Sequence, residues 1–125
     1  MQSNKPLSFS RKVSQAIRAG APVLALESAV ITHGLPRPKN LELAQALEQE
    51  ALAMGVTPAT IALLDGKVHI GLEPAELERL AYLDARKISR RDFGIALARK
   101  EAGGTTVAGT LIAAHAAGIE VFATG

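Results

Sequence analysis

The sequence predicts an α/β protein in which helices are layered around a mixed sheet that includes a β-hairpin. Stretches of helical and strand periodicity alternate along the chain, the pattern that packs helices onto the faces of a sheet. Two apolar runs flank Asp65-Gly66, a pair suited to a type I′ turn because both central residues take positive φ. Of the 125 residues 48% are hydrophobic and 21% charged, ordinary proportions for a globular domain. Aromatic residues make up only 3% and Trp is absent, so the core has to be aliphatic. This length sets the expectation of a single domain, residues 1–125.

The elements follow in order. Ser10 is placed to cap a short helix with Val13, Ala16 and Ile17 on one face, and Gly20 stops it. Pro22 introduces VLALESAVITHG, Val23 to Gly34, whose Val and Ile content predicts a buried strand, or two short ones broken near Ser28. Gly34 to Pro38 is a loop. Asn40 is placed to cap a helix running to Met54, with Leu41, Ala44, Leu47, Ala51 and Leu52 inward and Gly55 at its end. The hairpin occupies TPATIALLDGKVHIGL. Glu73-Pro74 opens a helix with Pro at its first position and Leu77, Leu80, Ala81 and Leu83 facing the core. Lys87 to Ser89 reads as a short strand and Asp92 to Lys100 as a helix. Gly103-Gly104 breaks the pattern before the small-residue helix of TTVAGTLIAAHAAG, which Gly118 ends, and IEVFATG closes as a buried apolar strand.

Composition narrows the function. A net charge of +2, from 14 basic and 12 acidic residues, gives no field that would favour nucleic acid or a membrane surface. The absence of cysteine excludes disulfides, thiolate nucleophiles and Cys-held metals. No segment has the make-up of a signal peptide or the roughly 18 apolar residues of a membrane span. A soluble, cytoplasmic protein is the expectation.

Three places carry chemistry. Glu27 is a carboxylate inside an apolar run, where an ionised acid must be paired, hydrogen-bonded or protonated. Such an acid suits proton transfer, and Ser28, Thr32 and His33 are polar neighbours, although Ser28 and Glu27 leave opposite faces of a strand. In ARKISRRD, Lys87, followed by Ile88 and Ser89, is placed to hold a phosphate or carboxylate, with Arg90 and Arg91 adding to it or pairing with Asp92. The same run read as a solvated basic turn fits the spacing equally well. In GGTTVAGT, glycines, Thr105, Thr106 and a helix start before Val107 aim free N–H groups and hydroxyls one way, a cradle for an anion. His33 stands beside the acid as a further ligand contact or a backbone tie, whereas His69 and His115 read as structural. Together these residues describe an α/β enzyme acting on a small anionic metabolite.

The blocks VLALESAVITHGLP, VTPATIALLDGKVHIGL, KISRRD and GGTTVAGTLIAAHAAGIEVFATG, in this order and spacing, resemble the pseudouridine-5′-phosphate glycosidase family, also called the indigoidine synthase A family. The resemblance implies reversible cleavage of the carbon–carbon glycosidic bond of pseudouridine 5′-phosphate to uracil and ribose 5-phosphate, through ring opening and a lysine Schiff base. A divalent metal, manganese, and a homotrimer come with it. By position it makes Glu27 the acid/base, Lys87 a substrate-binding lysine able to compensate Glu27, and Val107, with Thr106, a substrate contact. The Schiff-base lysine and the metal-binding aspartate of the family lie past the FATG block. The chain is thus expected to be the N-terminal portion of the family's domain, with no metal ligand of its own, and to be inactive or nearly so by itself. Other readings stay open: a sugar-phosphate-binding or scaffold fragment without catalysis, or a different α/β enzyme that uses Lys87 for a Schiff base or for phosphate.

Overall fold

The computed structural model describes residues 6–125. Its elements are β1 (Leu7–Phe9), α1 (Arg11–Ala19), β2 (Val23–Leu26), α2 (Lys39–Ala53), β3 (Thr57–Leu64), β4 (Lys67–Ile70), α3 (Pro74–Tyr82), β5 (Arg86–Ile88), α4 (Phe93–Ala98), β6 (Gly103–Thr105), α5 (Val107–Ala117) and β7 (Val121–Ala123). A π-helical turn covers Val30–Gly34 and a 3-10 turn Arg90–Asp92.

Among the described residues the strands form one mixed sheet. One path through it runs β1-β4-β3-β2-β7, and β6 joins β3 to β5. β3 organises the whole. Its first half, Thr57 to Thr60, pairs in parallel with Val23 to Leu26 of β2. Its second half pairs antiparallel with β4, and Ala62 and Leu63 pair antiparallel with Gly104 and Gly103 of β6. Position alternation then sends successive β3 side chains into two cores. Ile61 and Leu63 pack with Val13 of α1, Ala96 of α4 and Ala113 and Ala114 of α5. Ala62 and Leu64 pack with Ile31, Ala44 of α2 and Leu77 and Leu80 of α3. The expected α/β layering is therefore an α/β/α sandwich with an aliphatic core on each face.

Local expectations hold where short-range chemistry decides. Ser10 caps α1 by accepting from the Val13 amide, and Gly20 closes it at φ 68°. Asp65 and Gly66 turn the hairpin at φ 54° and 78°. Pro74 opens α3 behind a Glu73–Glu76 capping box.

Four expectations change. The run from Val23 does not continue as strand past Leu26. On the β3 edge that β2 occupies, the places beyond Thr60 belong to β6, so the chain leaves the sheet and coils into the π turn. Asn40 does not cap α2: the helix starts at Lys39 behind Pro38. The Asn40 side chain, 2% exposed, donates instead to the carbonyls of Ile31 at 3.1 Å and Ala81 at 2.8 Å, tying the π turn to the end of α3. Gly103-Gly104 is a buried strand rather than a break, because its lack of side chains lets Ile88 and Thr32 approach where a Cβ would overlap them. Finally, β7 lies at the end of the β1-to-β7 path and leaves Val121 60% exposed, so this strand is not buried.

Candidate active site

The strand tips converge. β2 runs one way along β3 and ends at Leu26, opposite Thr60, while β6 runs the other way along the same edge and ends at Thr105, beside Ile61. Their carboxyl ends therefore meet nearly head to head. Each has a parallel neighbour ending at the same level: Leu26 pairs with Ala123 of β7, and Thr105 with Ile88 of β5. The residues that follow these four strands, Glu27, Thr124, Thr106 and Ser89, are thus delivered to one region, the carboxyl-end crevice where α/β sheets take ligands.

Buried hydroxyls splice the head-to-head junction. Ser28, fully buried, donates to the Ile61 carbonyl and accepts from the Thr105 amide at 2.8 Å. The Thr105 hydroxyl donates to the same carbonyl at 2.8 Å and meets the Thr110 hydroxyl at 2.8 Å. These bonds replace ladder bonds that two colliding strands cannot make, since a buried backbone group left unpaired is costly. Thr105, a candidate ligand contact on sequence, accordingly points inward and holds the junction.

Glu27 stands just past β2, partly buried, and its carboxylate accepts a hydrogen bond from the Thr124 hydroxyl. It lines a groove with Leu26, Val30, Leu43, Leu47 and Thr124. The expected compensation by Lys87 is not what the structure shows. Among the described residues Glu27 joins no ion pair. Partial exposure and one hydroxyl suffice in place of a cation. Lys87 is exposed and lines a separate groove with Ser89, Arg90, Arg91 and Asp92. The Asp92 carboxylate there accepts from the Ser89 amide at 2.9 Å, which shapes the turn carrying Arg90.

Thr106 is the N-cap of α5: its hydroxyl accepts from the Gly109 amide at 3.2 Å, and its own amide donates to the Ile88 carbonyl at 2.9 Å. Val107, 41% exposed, and Ala108 open the helix with N–H groups that face out of its first turn. Gly109 is required at this corner, because a Cβ would stand 2.6 Å from the Ile88 carbonyl oxygen. His33, exposed, is hydrogen-bonded through Nδ1 to the Thr32 hydroxyl at 2.6 Å. His69 is structural as expected, with Nε2 3.2 Å from the Leu64 carbonyl and Nδ1 3.5 Å from Glu76.

The sequence reading missed Ser28 as the splice, Thr124 as the partner of Glu27, and Thr32 as the residue seated on Gly104. The Gly-Gly pair carried a signal for the last of these, since glycine inside a strand marks a close approach. Elsewhere burial holds the Glu48 carboxyl above its ordinary value, against a 2.7 Å hydrogen bond from the Thr60 hydroxyl and the charge of Lys12. The Arg79 guanidinium holds the exposed Asp65 below its ordinary value. No three His, Asp or Glu side chains among the described residues are grouped to hold a metal ion. The donors present therefore do not make up the metal site that the family resemblance implies.

The α/β/α sandwich thus brings an acid, a basic turn and an open helix start to converging strand tips. The chain belongs to the indigoidine synthase A-like family, whose model matches residues 12–125. It is 56% identical over 121 residues to a pseudouridine-5′-phosphate glycosidase of Jannaschia, covering 96% of this chain and 40% of the relative. A second such glycosidase, from Roseobacter denitrificans, is 53% identical, with 98% and 40% covered. Among solved structures, a prealnumycin C-glycosynthase in complex with ribulose 5-phosphate superposes with a TM-score of 0.84 at 39% identity, over 99% of this chain and 40% of that one. An indigoidine synthase A-like protein of Thermotoga maritima does so with a TM-score of 0.86 at 30% identity, covering 100% and 41%. The chain thus spans about 40% of the length of these relatives.

Proposed function

We propose that this chain supplies the acid/base and sugar-phosphate part of a pseudouridine-5′-phosphate glycosidase centre. The observation that carries the reading is the delivery of Glu27 and the α5 start to one crevice by the head-to-head tips of β2 and β6, in a chain more than half identical to named glycosidases. In the net reaction the bond between ribose C1′ and uracil C5 breaks, and water supplies the hydroxyl to C1′ and the hydrogen to C5. Glu27, held by the Thr124 hydroxyl at the mouth of an apolar groove, moves the protons this exchange needs. Lys87 and Arg90 meet the phosphate, and the outward N–H groups of Val107 and Ala108 bind sugar or phosphate oxygens. The lysine nucleophile, the manganese ion and the trimer that the family resemblance implies belong to this reading too.

A chimera tests it. Residues 1–125 replace the matching segment of the Jannaschia glycosidase, and uracil release from pseudouridine 5′-phosphate is followed. The chimera is expected to be active, and Glu27→Gln to lower kcat by about 10²- to 10⁴-fold with little change in the affinity for ribose 5-phosphate. A folded chimera that releases no uracil, or a Glu27→Gln variant as fast as its parent, would overturn the proposal.

A further inference from the structure

Thr32 and His33 have no part in the roles assigned so far, yet their placement is unusual. The Thr32 side chain lies directly over Gly104, where any Cβ would overlap it. Gly104 is in register with Lys87 of β5 on one side and Ala62 of β3 on the other. Side chains at paired positions leave the same face of a sheet. Ala62 packs with Ile31, Leu77 and Leu80, so Lys87 emerges on the face covered by α2 and α3. Thr32 therefore sits over the strand next to Lys87, whose backbone lies one interstrand spacing, about 4.8 Å, from that of Gly104.

The Thr32 hydroxyl in turn meets His33 Nδ1 at 2.6 Å. With the hydroxyl donating, Nδ1 is the acceptor and the neutral ring carries its proton on Nε2. Among the described residues Nε2 of this exposed ring has no hydrogen-bond partner, and Lys87 is in no ion pair. In that tautomer an outward N–H and an exposed ammonium stand on the same face of the sheet around Gly104, and an anion that reaches both satisfies them at once.

We infer that His33 is an anion-binding residue of this site: its Nε2–H donates to the phosphate of the sugar phosphate while Lys87 meets the same phosphate from the strand beside Gly104. Thr32 is the positioning residue that sets the tautomer. The inference rests on the sugar-phosphate reading given above and adds to it the group that recognises the phosphate.

The test uses the 125-residue chain with ¹⁵N-labelled histidine, titrated with ribose 5-phosphate and separately with inorganic phosphate. The free chain is expected to hold His33 in the Nε2–H tautomer, and both ligands to shift that nitrogen. His33→Ala is expected to weaken ribose 5-phosphate binding by about tenfold, the effect of one hydrogen bond to a charged group. Thr32→Val is expected to give mixed tautomers and a smaller loss. Binding that leaves the His33 ring unshifted and survives His33→Ala unchanged would overturn this inference while the sugar-phosphate reading stands. A wild-type chain that binds neither ligand removes both. Should His33→Ala fail to fold, the wild-type shift and the Thr32→Val tautomer ratio decide.

Discussion

The two ends of the second half of β3 are closed by opposite means. At Ile61 the strand meets the head-to-head junction of β2 and β6, where fully buried hydroxyls of Ser28, Thr105 and Thr110 supply the missing hydrogen bonds. At Leu64 it turns through Asp65-Gly66, and the surface there carries an exposed ion pair from Asp65 to Arg79, 2.7 Å at its shorter contact. Polar groups finish the strand in both places, but only at the junction is water excluded. Burial turns a hydroxyl into an obligatory partner, whereas exposure leaves a full ion pair nearly optional. The junction is also the end that carries the candidate site, so the costly polar contacts lie under the residues that need fixed positions.

The largest effect tests that contrast directly. Ser28→Ala leaves the Thr105 amide without its acceptor in a water-free pocket and takes one donor from the Ile61 carbonyl. We expect a loss of about 2–3 kcal/mol in urea unfolding. A loss below about 0.5 kcal/mol would show that the junction relaxes and that the hydroxyls are not obligatory.

Glu48 gives an intermediate case, a partly buried acid on α2 bonded to Thr60. Its folded value lies above the ordinary 4.5, with burial the leading cause, so folding favours the protonated form. Its contribution to stability is therefore present below the unfolded value and is lost as pH rises through the folded one. Glu48→Gln keeps an acceptor for Thr60 and removes the charge. It is expected to raise stability at pH 7 by less than about 1 kcal/mol and to flatten the decline between pH 4 and 7. An unchanged pH profile would count against burial as the leading cause.

The smallest effect is expected at the hairpin end. Arg79→Ala removes the partner that holds Asp65 low, and the contribution of that pair is present above the unfolded carboxyl value and lost as pH falls through the folded one. Both groups are largely exposed, so the change at neutral pH should stay below about 0.5 kcal/mol and vanish in high salt. A larger, salt-independent loss would mean that the guanidinium stem packs on α3 rather than serving through its charge.

Much of the fold was legible because it is written in short-range chemistry. The Ser10 cap, the Asp65-Gly66 turn, the Pro74 start and the glycine stops at Gly20 and Gly118 depend on residues within a few positions of one another. Glu27 and Lys87 could be picked out as candidates because an acid in an apolar run and a basic turn are visible in one dimension, whereas Val107, with Thr106, came as a substrate contact from the family resemblance. What joins them was not visible. Ser28 and Thr105 are 77 residues apart in sequence, and the partner of Glu27 lies 97 residues away at Thr124. The run after Leu26 reads as strand by composition, yet β6 already holds the edge it would need.

The sequence by itself determined an aliphatic α/β domain, its turn and cap positions, and the residue types available for acid, cation and amide chemistry, because propensity, periodicity and capping are local. Only the tertiary structure decided that β2 and β6 collide on one edge of β3, that hydroxyls must bridge the collision, and that Thr32 and Lys87 flank a bare glycine. Hydrogen-bond satisfaction along a shared strand edge is a property of the whole sheet, and no window of sequence contains it.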